Sequence, residues 1–278
     1  MRRMSSAPPP LSFAKMHGLG NDFVVVDARE QPAVMTAPLA RAIADRRTGV
    51  GCDQLIVIGP STRADVAMRI FNQDGSEVDA CGNATRCVAL FVGRELTIET
   101  NAGLLRARRN GDFVSVDMGE PRMAWDQVPL AYAMDTLSMP VSWEDLPAPS
   151  AVSVGNPHVV FFLDDMDAVD IARLGPLIEN DPLFPQRVNV NFAQMLAPDH
   201  IRLTVWERGA GLTRACGTGA CATAVCAIRR KLAAGKVRVS LPGGDLFIDW
   251  TPGGHIDMTG PAAHIFDGTL DPAAFSTP

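Results

Sequence analysis

Short apolar stretches in the first half of the chain alternate with polar turns, and this pattern predicts strands arranged around one long helix. The long helix is predicted to follow Cys81, because the apolar residues after it recur at helical spacing and end near Gly93. A shorter amphipathic helix is predicted at residues 39–46. Strands are predicted at residues 21–27, 54–58, 66–71, 96–100, 104–108 and 113–118.

The second half of the chain repeats this order of elements. Its long helix is predicted to follow Cys216 and to end in a basic segment before Gly235, where positive charge complements the helix dipole. A shorter helix is predicted at residues 170–178. Strands are predicted at residues 159–163, 188–193, 201–206, 237–241, 246–250 and 256–258.

Two short segments of the chain are nearly alike, and each contains a cysteine just before a predicted long helix. They are Asp79–Ala84 (DACGNA) and Arg214–Gly219 (RACGTG), and the numbers of their cysteines differ by a fixed offset, 216 − 81. A constant offset held by other residue pairs as well is not expected of a chance match, so the chain is predicted to contain two copies of one domain. The pairs at this offset are Asn21 and Asn156, Gln54 and Asn189, Asn72 and Glu207, and Asn83 and Thr218.

Strands gathered around one long helix in each half indicate an α+β fold rather than a doubly wound parallel sheet. We predict two similar domains related by internal duplication, at residues 13–128 and 129–264, with their boundary in an irregular connection that contains several prolines. Residues 1–12 contain arginines followed by serines and prolines, without the apolar core of a signal peptide. We therefore predict a disordered tail there.

The composition agrees with two domains and narrows the class of protein. A chain of 278 residues that is 47% hydrophobic has enough apolar material for two cores. Its net charge of −6 and pI near 5.4 disfavour nucleic acid or an anionic membrane as the main partner. Six cysteines in a chain of this size do not indicate a secreted disulfide framework, and no apolar run approaches the ~20 residues of a membrane-spanning helix. We expect a soluble, cytoplasmic protein.

The paired cysteines indicate acid–base chemistry by two thiols. A sulfur at a helix N-terminus ionises more readily than a free thiol, and both Cys81 and Cys216 directly precede predicted helices. The N–H groups at the same helix ends bind anions such as a carboxylate. Two facing halves would place a thiol on each side of one carbon, which suits racemisation or epimerisation. The N–H groups concerned belong to Gly82, Asn83, Gly217 and Thr218.

Several polar residues are candidates for binding a substrate around these thiols. Asn21 and Asn156 each precede a candidate cysteine by the same interval, since 81 − 21 equals 216 − 156, and this favours a shared role over simple turn geometry. Glu207 and Arg208 follow an apolar strand and are suited to bind an amino group and a carboxylate, respectively. His158 follows a Gly-Asn-Pro turn, where it either tunes a thiol or has a structural role.

The remaining motifs indicate neither a metal nor an organic cofactor. The chain has no Cys-x-x-Cys motif, and no histidine has ligand spacing to a cysteine. It also lacks a Gly-x-Gly-x-x-Gly motif after a strand and a Walker-type loop, so nucleotide binding has no support. No lysine lies in a recognisable pyridoxal-binding context. The other four cysteines are interpreted as small buried apolar residues; they are Cys52, Cys87, Cys221 and Cys226.

In these motifs the chain resembles the diaminopimelate epimerase family, from about Phe13 to Gly268. The family fold implied by the resemblance is a pair of similar α+β domains, each a curled mixed or antiparallel sheet around a central helix, with the active site in the cleft between them. A homodimer is the usual assembly. The resemblance rests on KMHGLGNDF (15–23), GCDQ (51–54), FNQDGSE (71–77), ACGN (80–83), GNPH (155–158), NVNF (189–192), ERG (207–209) and ACGTGAC (215–221).

The resemblance implies a pyridoxal-independent isomerase that interconverts LL- and meso-2,6-diaminopimelate, on the route to lysine and, in many bacteria, to peptidoglycan. It implies that Cys81 is the proton donor and Cys216 the proton acceptor when the LL substrate is consumed. His158 and Glu207 match residues that adjust the thiol pKa values. Substrate contacts are implied for Asn21, Gln54, Asn72, Gly82, Asn83, Asn156, Asn189, Glu207, Arg208, Gly217 and Thr218.

The chain departs from the family pattern at two positions. Leu212 stands where the motif after Glu-Arg-Gly often has an acidic or amide residue, which changes the polarity expected of the cleft. Phe266 stands where a tyrosine associated with dimerisation is expected, so the hydrogen bond of a hydroxyl is missing there. The resemblance also implies that the C-terminal segment, residues 265–278, packs back on the first domain.

Two other functions remain open from the residues themselves. A proline or hydroxyproline racemase uses the same paired-thiol chemistry on a smaller imino acid. Against it, the pair Glu207–Arg208 and three asparagines favour a substrate with a second amino acid end, because without one each buried group would lack a partner, at a cost of roughly 1–3 kcal/mol. The asparagines are Asn72, Asn156 and Asn189. The other alternative is a non-catalytic thiol protein whose cysteines only form and break a disulfide.

Overall fold

The computed structural model describes residues 10–79 and 81–275, which form two compact units. The first unit runs through Val114 and takes up the chain again from Ala262, while the second unit is the continuous stretch Ser115–Pro261. The C-terminal end of the chain therefore belongs to the first unit.

The boundaries of the compact units differ from the domain boundaries predicted from the sequence. The sequence places the domain boundaries at 128/129 and 264/265, whereas the compact units divide after Val114 and after Pro261. Most of the predicted tail at residues 1–12 lies outside the described residues. Its last two residues, Leu11 and Ser12, belong to the first strand.

The helices and strands are as follows in chain order. The helices of the described chain are α1 (Ala37–Ala44), α2 (Gly82–Val92), α3 (Ile171–Glu179) and α4 (Gly217–Arg229), with a short 3-10 helix at Pro272–Phe275. The strands are β1 (Leu11–Gly18), β2 (Asn21–Asp27), β3 (Gln54–Gly59), β4 (Val66–Asn72), β5 (Glu77–Val78), β6 (Leu96–Thr100), β7 (Gly103–Asn110), β8 (Phe113–Asp117), β9 (Ser150–Ser153), β10 (Pro157–Phe162), β11 (Asn189–Ala197), β12 (His200–Glu207), β13 (Gly211–Leu212), β14 (Lys236–Leu241), β15 (Gly244–Asp249), β16 (Asp257–Pro261) and β17 (Ala263–Leu270).

The ends of the helices follow from their capping residues. Helix α1 begins earlier than predicted because the Thr36 hydroxyl accepts a hydrogen bond from the Leu39 backbone N–H, at 3.4 Å. It also ends earlier, since Asp45 is its C-cap in an extended conformation, so Arg46 lies outside the helix. Helix α2 ends as predicted at Gly93, which has a left-handed φ of 81°.

The first unit contains a mixed sheet in the order β17, β1, β2, β3, β4, β6, β7. The pairs β2–β3 and β4–β6 are parallel and the others are antiparallel. Each parallel pair is joined by a connection that contains a helix, α1 in the first case and α2 in the second. Helix α2 contacts β1, β7 and β17.

The second unit repeats this topology in the order β9, β10, β11, β12, β14, β15, β16, and β16 also pairs with β8. Its parallel pairs, β10–β11 and β12–β14, contain α3 and α4 in their connections. The strand registers also match at the offset that separates the two cysteines. The equivalent pairs are Phe23 with Gln54 and His158 with Asn189, and Leu55 with Phe71 and Val190 with Trp206. The predicted duplication and the α+β class are confirmed.

The central helices are enclosed by protein. Every residue of α2 from Gly82 to Ala89 is buried, and so is every residue of α4 from Gly219 to Ala227. A helix without a solvent face at these positions has its N-terminus held at a fixed place inside its unit. The residue just before each helix, Cys81 or Cys216, is held there with it.

The outer helices complete the cores. In the first unit Ile43 of α1 packs in a cluster with Leu55 and Phe71, and in the second Ile178 of α3 packs with Phe192. Burial of each such side chain contributes roughly 1.5–3 kcal/mol. Within the described part of the chain, no helix has the length and apolar content that crossing a membrane would require.

Candidate active site

Cys81 lies at the N-cap of helix α2, and its sulfur faces the amide of Asn21. The residue has an extended backbone (φ −149°, ψ 113°) and is half-buried. Its Sγ lies 4.0 Å from Asn21 Oδ1, which also accepts a hydrogen bond from Asn83 Nδ2 at 3.2 Å. The structure thus brings together three of the predicted residues, one from β2 and two from the start of α2.

The amide of Asn21 is oriented by a cluster of charged residues behind it. Asn21 Nδ2 donates to Asp53 Oδ2 at 3.0 Å, and the other oxygen of Asp53 accepts from Arg46 at 2.7 Å. Arg46 and Lys15 also bind Asp22. Partial burial acts to raise the pKa of Asp22, but the hydrogen bonds and charges of Arg46 and Lys15 outweigh it and hold that pKa well below its usual value.

A second charged group fixes the same arrangement from the other side. The buried guanidinium of Arg86 donates to Asn83 Oδ1 at 2.9 Å, so the Nδ2 of Asn83 must be the atom that faces Asn21. A carboxylate at one end only accepts and a guanidinium at the other only donates. Asn21 therefore presents its carbonyl oxygen, a hydrogen-bond acceptor, to the thiol of Cys81.

Gln54 and Asn72 form a pair on neighbouring strands of the first unit. They are direct partners in the antiparallel register of β3 and β4, and Gln54 Nε2 donates to Asn72 Oδ1 at 3.0 Å. The Oε1 of Gln54 is buried and has no hydrogen-bond partner among the described residues. A buried acceptor of this kind is suited to a donor supplied by a ligand.

Cys216 lies at the N-cap of helix α4, in the position that corresponds to Cys81, and two groups of the same helix start approach its sulfur. The backbone N–H of Gly219 donates to Sγ at 3.4 Å, and the Thr218 hydroxyl lies 3.6 Å from it. Glu207, at the end of β12, is hydrogen-bonded to the same thiol and accepts from Thr213 at 2.5 Å. Cys216 is only 4% exposed.

Burial and negative charge make Cys216 a weak acid. Burial raises the pKa of its thiol well above the usual value, the carboxylate of Glu207 raises it further, and the Thr218 hydroxyl and the Gly219 N–H partly offset this. Burial also raises the pKa of Glu207, against the hydrogen bonds from Thr213 and Cys216. A thiol and a carboxyl that both resist ionisation are able to share one proton.

A line of side chains runs from β11 to the sulfur of Cys216. Asn191 Nδ2 lies 3.1 Å from His158 Nδ1, and His158 Nε2 lies 3.0 Å from Asn156 Oδ1. Asn156 Nδ2 then donates to Thr218 Oγ1 at 3.3 Å. His158 is fully buried, which lowers its pKa to about 3, so the imidazole is neutral at physiological pH.

Asn189 and Arg208 are joined through the backbone at the end of the same sheet. Asn189 is almost fully buried, donates through Nδ2 to the carbonyl of Pro157 and accepts through Oδ1 from the Arg208 N–H, at 3.0 Å. The guanidinium of Arg208 donates to the carbonyl of Gln186 at 2.9 Å. Asn189 therefore fixes the turn that carries Arg208.

The predicted site residues fall into one group in each unit. Gly82 and Gly217 are the first residues of α2 and α4, next to the two cysteines. Phe266 is exposed on β17, and Leu212 is half exposed on β13. The sequence interpretation missed Asp53, Arg86 and Asn191.

These three residues were missed because their counterparts in the other half are unlike them. At the offset between the two cysteines, Asp53, Arg86 and Asn191 correspond to Val188, Cys221 and Ile56. The repeat therefore gave no signal. A signal existed in the motifs GCDQ and NVNF, which contain a polar residue inside a buried strand or at its start.

The other four cysteines are buried and carry thiols rather than disulfides. Burial raises the pKa of Cys52 to about 11 and that of Cys87 and Cys226 to about 12, so these thiols are protonated at physiological pH. No group of three or more His, Cys, Asp or Glu side chains that could hold a metal ion is found in the part of the chain that the structure describes.

The fold places the chain in a class of duplicated α+β proteins that includes epimerases. A hydroxyproline epimerase from Agrobacterium vitis with bound trans-4-hydroxy-L-proline superposes with a TM-score of 0.66 at 16% identity, covering 94% of this chain and 91% of that one. A phenazine biosynthesis protein of the PhzF family from Bacillus anthracis gives the same TM-score and identity and covers 94% and 99%. At such low identity these likenesses concern the fold alone.

The particular family is given by the sequence. The family model for diaminopimelate epimerase matches residues 13–124 and 150–265. The diaminopimelate epimerase of Zymomonas mobilis is 61% identical over 266 residues, covering 95% of this chain and 99% of that protein. That of Rhizorhabdus wittichii is 64% identical over 264 residues and covers 95% and 96%. The chain belongs to the diaminopimelate epimerase family, and the predicted resemblance is confirmed.

Proposed function

We propose that this protein is an isomerase that interconverts LL- and meso-2,6-diaminopimelate by moving the α-proton between two cysteines. Its activity serves lysine biosynthesis and, through meso-diaminopimelate, the supply of a peptidoglycan precursor. We place it in the cytoplasm and propose that it needs no cofactor. The observation that carries the proposal is a cysteine at the N-cap of the central helix in each of two matching units of a diaminopimelate epimerase family member.

The reaction divides the roles of acid and base between the two thiols. With the LL substrate, the Cys216 thiolate removes the proton from the α-carbon, and the electron pair of the broken C–H bond stays on that carbon and its carboxylate. The Cys81 thiol then delivers its proton to the opposite face, which inverts the centre. Cys216 ends as a thiol and Cys81 as a thiolate, and the meso substrate uses the same two groups in exchanged roles.

The surroundings of Cys216 suit a base of this kind. A high thiol pKa increases the driving force for taking a proton from a weakly acidic carbon. Glu207, hydrogen-bonded to the same sulfur, is positioned to take the thiol proton before turnover, and its own pKa is raised by burial. Glu207 and His158 are thus proposed to adjust this thiol, Glu207 by direct contact.

The substrate is proposed to be held by helix N-termini and by the polar residues of both units. The carboxylate at the reacting centre gains negative charge as the carbanion forms, and N–H groups at a helix start stabilise such charge. The Gln54 acceptor, which has no partner within the described chain, is suited to an ammonium group. The proposed substrate contacts are Asn21, Gln54, Asn72, Gly82, Asn83, Asn156, Asn189, Glu207, Arg208, Gly217 and Thr218.

The test is incubation of the reduced protein with LL-diaminopimelate in deuterated water, with proline as the competing substrate. We expect deuterium at one α-carbon of diaminopimelate together with inversion, and none on proline. Exchange on proline alone would assign the protein to the racemases of smaller imino acids. No exchange on either compound under reducing conditions would leave a thiol redox protein and refute an enzyme of this type.

Single cysteine variants test the division of roles. Cys81→Ala and Cys216→Ala should each abolish epimerisation, because each removes one of the two proton carriers. The buried Cys87 supplies the control, since Cys87→Ala lies in α2 as well and should keep the activity. Full turnover in either of the first two variants would contradict the two-base assignment.

We propose further that the protein is a homodimer that associates through β17. Ile265 and Phe266 are exposed by 53% and 48%, an apolar pair on a strand whose other exposed side chains are polar, and exposed apolar surface often marks an interaction site. Phe266 packs edge-on against Phe13 at 6.2 Å, which orients its ring. Phe266→Asp should shift the mass measured by analytical ultracentrifugation from dimer to monomer. Phe247→Asp, at a similarly exposed phenylalanine on β15, should leave the dimer intact.

A further inference from the structure

We infer that Asn191 is a positioning residue that directs the Thr218 hydroxyl hydrogen towards the sulfur of Cys216, acting through His158 and Asn156. The inference deepens the proposed function and rests on it for its catalytic meaning. The hydrogen-bond chain itself stands on the contacts of the second unit alone.

The orientation of the Asn191 amide, the first group of the hydrogen-bond chain, is fixed by backbone carbonyl groups. Its Nδ2 lies 2.9 Å from the carbonyl oxygen of Val159 and 3.4 Å from that of Asn189. These oxygens only accept, so the atom that faces them must be the amide nitrogen. Asn191 is fully buried, which excludes a solvent-facing alternative for this amide.

The donor and acceptor roles of the following groups in the hydrogen-bond chain then follow one from another. Because Asn191 donates, His158 Nδ1 must accept, and a neutral imidazole that accepts at Nδ1 carries its proton on Nε2. That N–H donates to Asn156 Oδ1, which leaves Asn156 Nδ2 to donate to Thr218 Oγ1. The hydroxyl of Thr218 thus receives a hydrogen bond.

The last link concerns the charged form of Cys216. Thr218 Oγ1 is 3.6 Å from Cys216 Sγ, and an oxygen that already accepts from Asn156 can point its own hydrogen at the sulfur. A hydrogen bond donated to a thiolate stabilises it relative to the thiol. The hydrogen-bond chain therefore favours the thiolate of Cys216, which is the form that takes a proton from carbon.

The first unit shows that this chain is not a general property of the fold. Its counterparts of His158 and Asn191 are Phe23 and Ile56, which have no polar side-chain atoms. There the corresponding asparagine is held by Asp53 instead, and its acceptor oxygen faces Cys81. Phe23 and Ile56 cannot make the hydrogen bonds that His158 and Asn191 make, so this particular arrangement belongs to Cys216.

The tautomer of His158 gives a direct test that needs no substrate. In protein labelled with ¹⁵N-histidine, two-bond ¹H–¹⁵N correlations should show His158 as the neutral Nε2–H form at pH 7. In Asn191→Leu, which keeps the size of the side chain and removes the donor, the Nδ1–H form should appear. An Nδ1–H tautomer in the unaltered protein, or an unchanged tautomer in the variant, would overturn the inference.

The second test measures the reactivity of the Cys216 sulfur. At pH 8 the alkylation rate of Cys216 by a small reagent, resolved by mass spectrometry, should fall roughly tenfold in Asn191→Leu, the loss expected from one hydrogen bond to an anion. The rate of Cys81 should not change. Gln194→Leu is the matched control, because it removes an amide from the same strand, β11, where the amide binds the carbonyl of Asp164.

A double variant shows whether Asn191 and Thr218 act through one hydrogen-bond chain or independently of each other. Thr218→Val removes the last hydroxyl, so it should slow Cys216 by a similar factor, and Asn191→Leu combined with it should cost nothing more. Additive losses would refute the chain even if Asn191→Leu alone proved poorly folded.

The kinetic constants connect the chain to catalysis. In epimerisation, Asn191→Leu should lower kcat with little change in KM, as expected of a residue that acts through another. Altered tautomer and sulfur reactivity without diaminopimelate turnover in the unaltered protein would refute the proposed function and leave the hydrogen-bond chain standing. A normal kcat in Asn191→Leu despite a changed tautomer would contradict its catalytic role.

Discussion

Gly219, in the first turn of α4, sets how closely this helix approaches its sheet. A Cβ at this position would lie 2.8 Å from Asn191 Oδ1, 3.0 Å from Val205 and 3.2 Å from Cys216 Sγ. In the first unit the same position is Ala84, where the neighbouring strand carries Ile56 in place of the amide. The two helix starts are alike in sequence, yet they are not interchangeable.

We therefore predict that Gly219→Ala destabilises the second unit by roughly 1–3 kcal/mol, as overpacking in a tight core does. In the background of Asn191→Ala, Gly219→Ala should cost less than in the unaltered protein, because the nearest atom to the added methyl is absent. Urea denaturation followed by tryptophan fluorescence measures this unit specifically, since all four tryptophans lie within it, at positions 125, 143, 206 and 250. Equal stability of Gly219→Ala and the unaltered protein would contradict the close approach.

Buried and neutral, His158 makes the second unit sensitive to acid. Its pKa of about 3 lies below the ~6.5 of an unfolded histidine, and Arg208 nearby further disfavours its charge. The unfolded chain therefore binds more protons, and this contribution to stability is full above pH ~6.5 and declines as the pH falls towards 3.

His158→Phe should flatten this dependence, by up to ~1.4 kcal/mol per pH unit between about pH 6 and 4. Its absolute stability should fall, because two amides lose their partner. His255 is the control: it is exposed, Asp117 raises its pKa, and its contribution is instead lost as the pH rises. His255→Asn should not flatten the acid side. The same slope in His158→Phe and the unaltered protein would speak against a neutral His158.

Among the elements, helix α2 shows how a single residue ends a helix. Gly93 has φ 81°, which an alanine adopts at a cost, and nothing lies within 4 Å of a Cβ built there. We predict that Gly93→Ala lowers the stability of the first unit by about 1 kcal/mol for conformational reasons alone. Gly59→Ala, where a Cβ is equally free and φ is ordinary, should have little effect. Amide hydrogen exchange within α2 would show the difference, and equal exchange in both variants would disprove it.

The sequence predicted most elements from local patterns, and the strands it missed lack such patterns. Strand β1 joins β2 through a turn at Leu19 and Gly20, with φ of 58° and 85°. Both values suit a two-residue hairpin turn, but leucine is not a residue that signals one. In β17 most residues are exposed, apolar ones included, so no alternation marks a strand.

The candidate site was predicted to the extent that it is repeated. The two cysteines and their asparagines appear because both halves keep them at one offset. Asp53 and Asn191 determine which way those asparagines face, and this information lies in contacts between strands that no spacing reveals. A comparison of the two halves cannot identify residues that occur in only one of them.

For the whole molecule, the C-terminal strand is the longest-range element of the first unit. Strand β17 pairs with β1 along its entire length, from Leu11 with Leu270 to His17 with Ala263. A chain that lacks residues 263–278 should therefore lose hydrogen-exchange protection in β1, which would become an unprotected sheet edge. Protection in β10 and β11, whose partners lie within the second unit, serves as the internal reference. Full protection of β1 in the shortened chain would show that β17 is dispensable.

The same pairing affects the order in which the two units can fold during translation. Domains usually fold in the order in which they are synthesised. Here the first-made unit lacks its outer strand until Ala263–Leu270 has been translated, whereas Ser115–Pro261 is complete before β17 begins. The unit made second is therefore the first able to finish folding, and one edge of β1 stays unpaired on the nascent chain until β17 has been made.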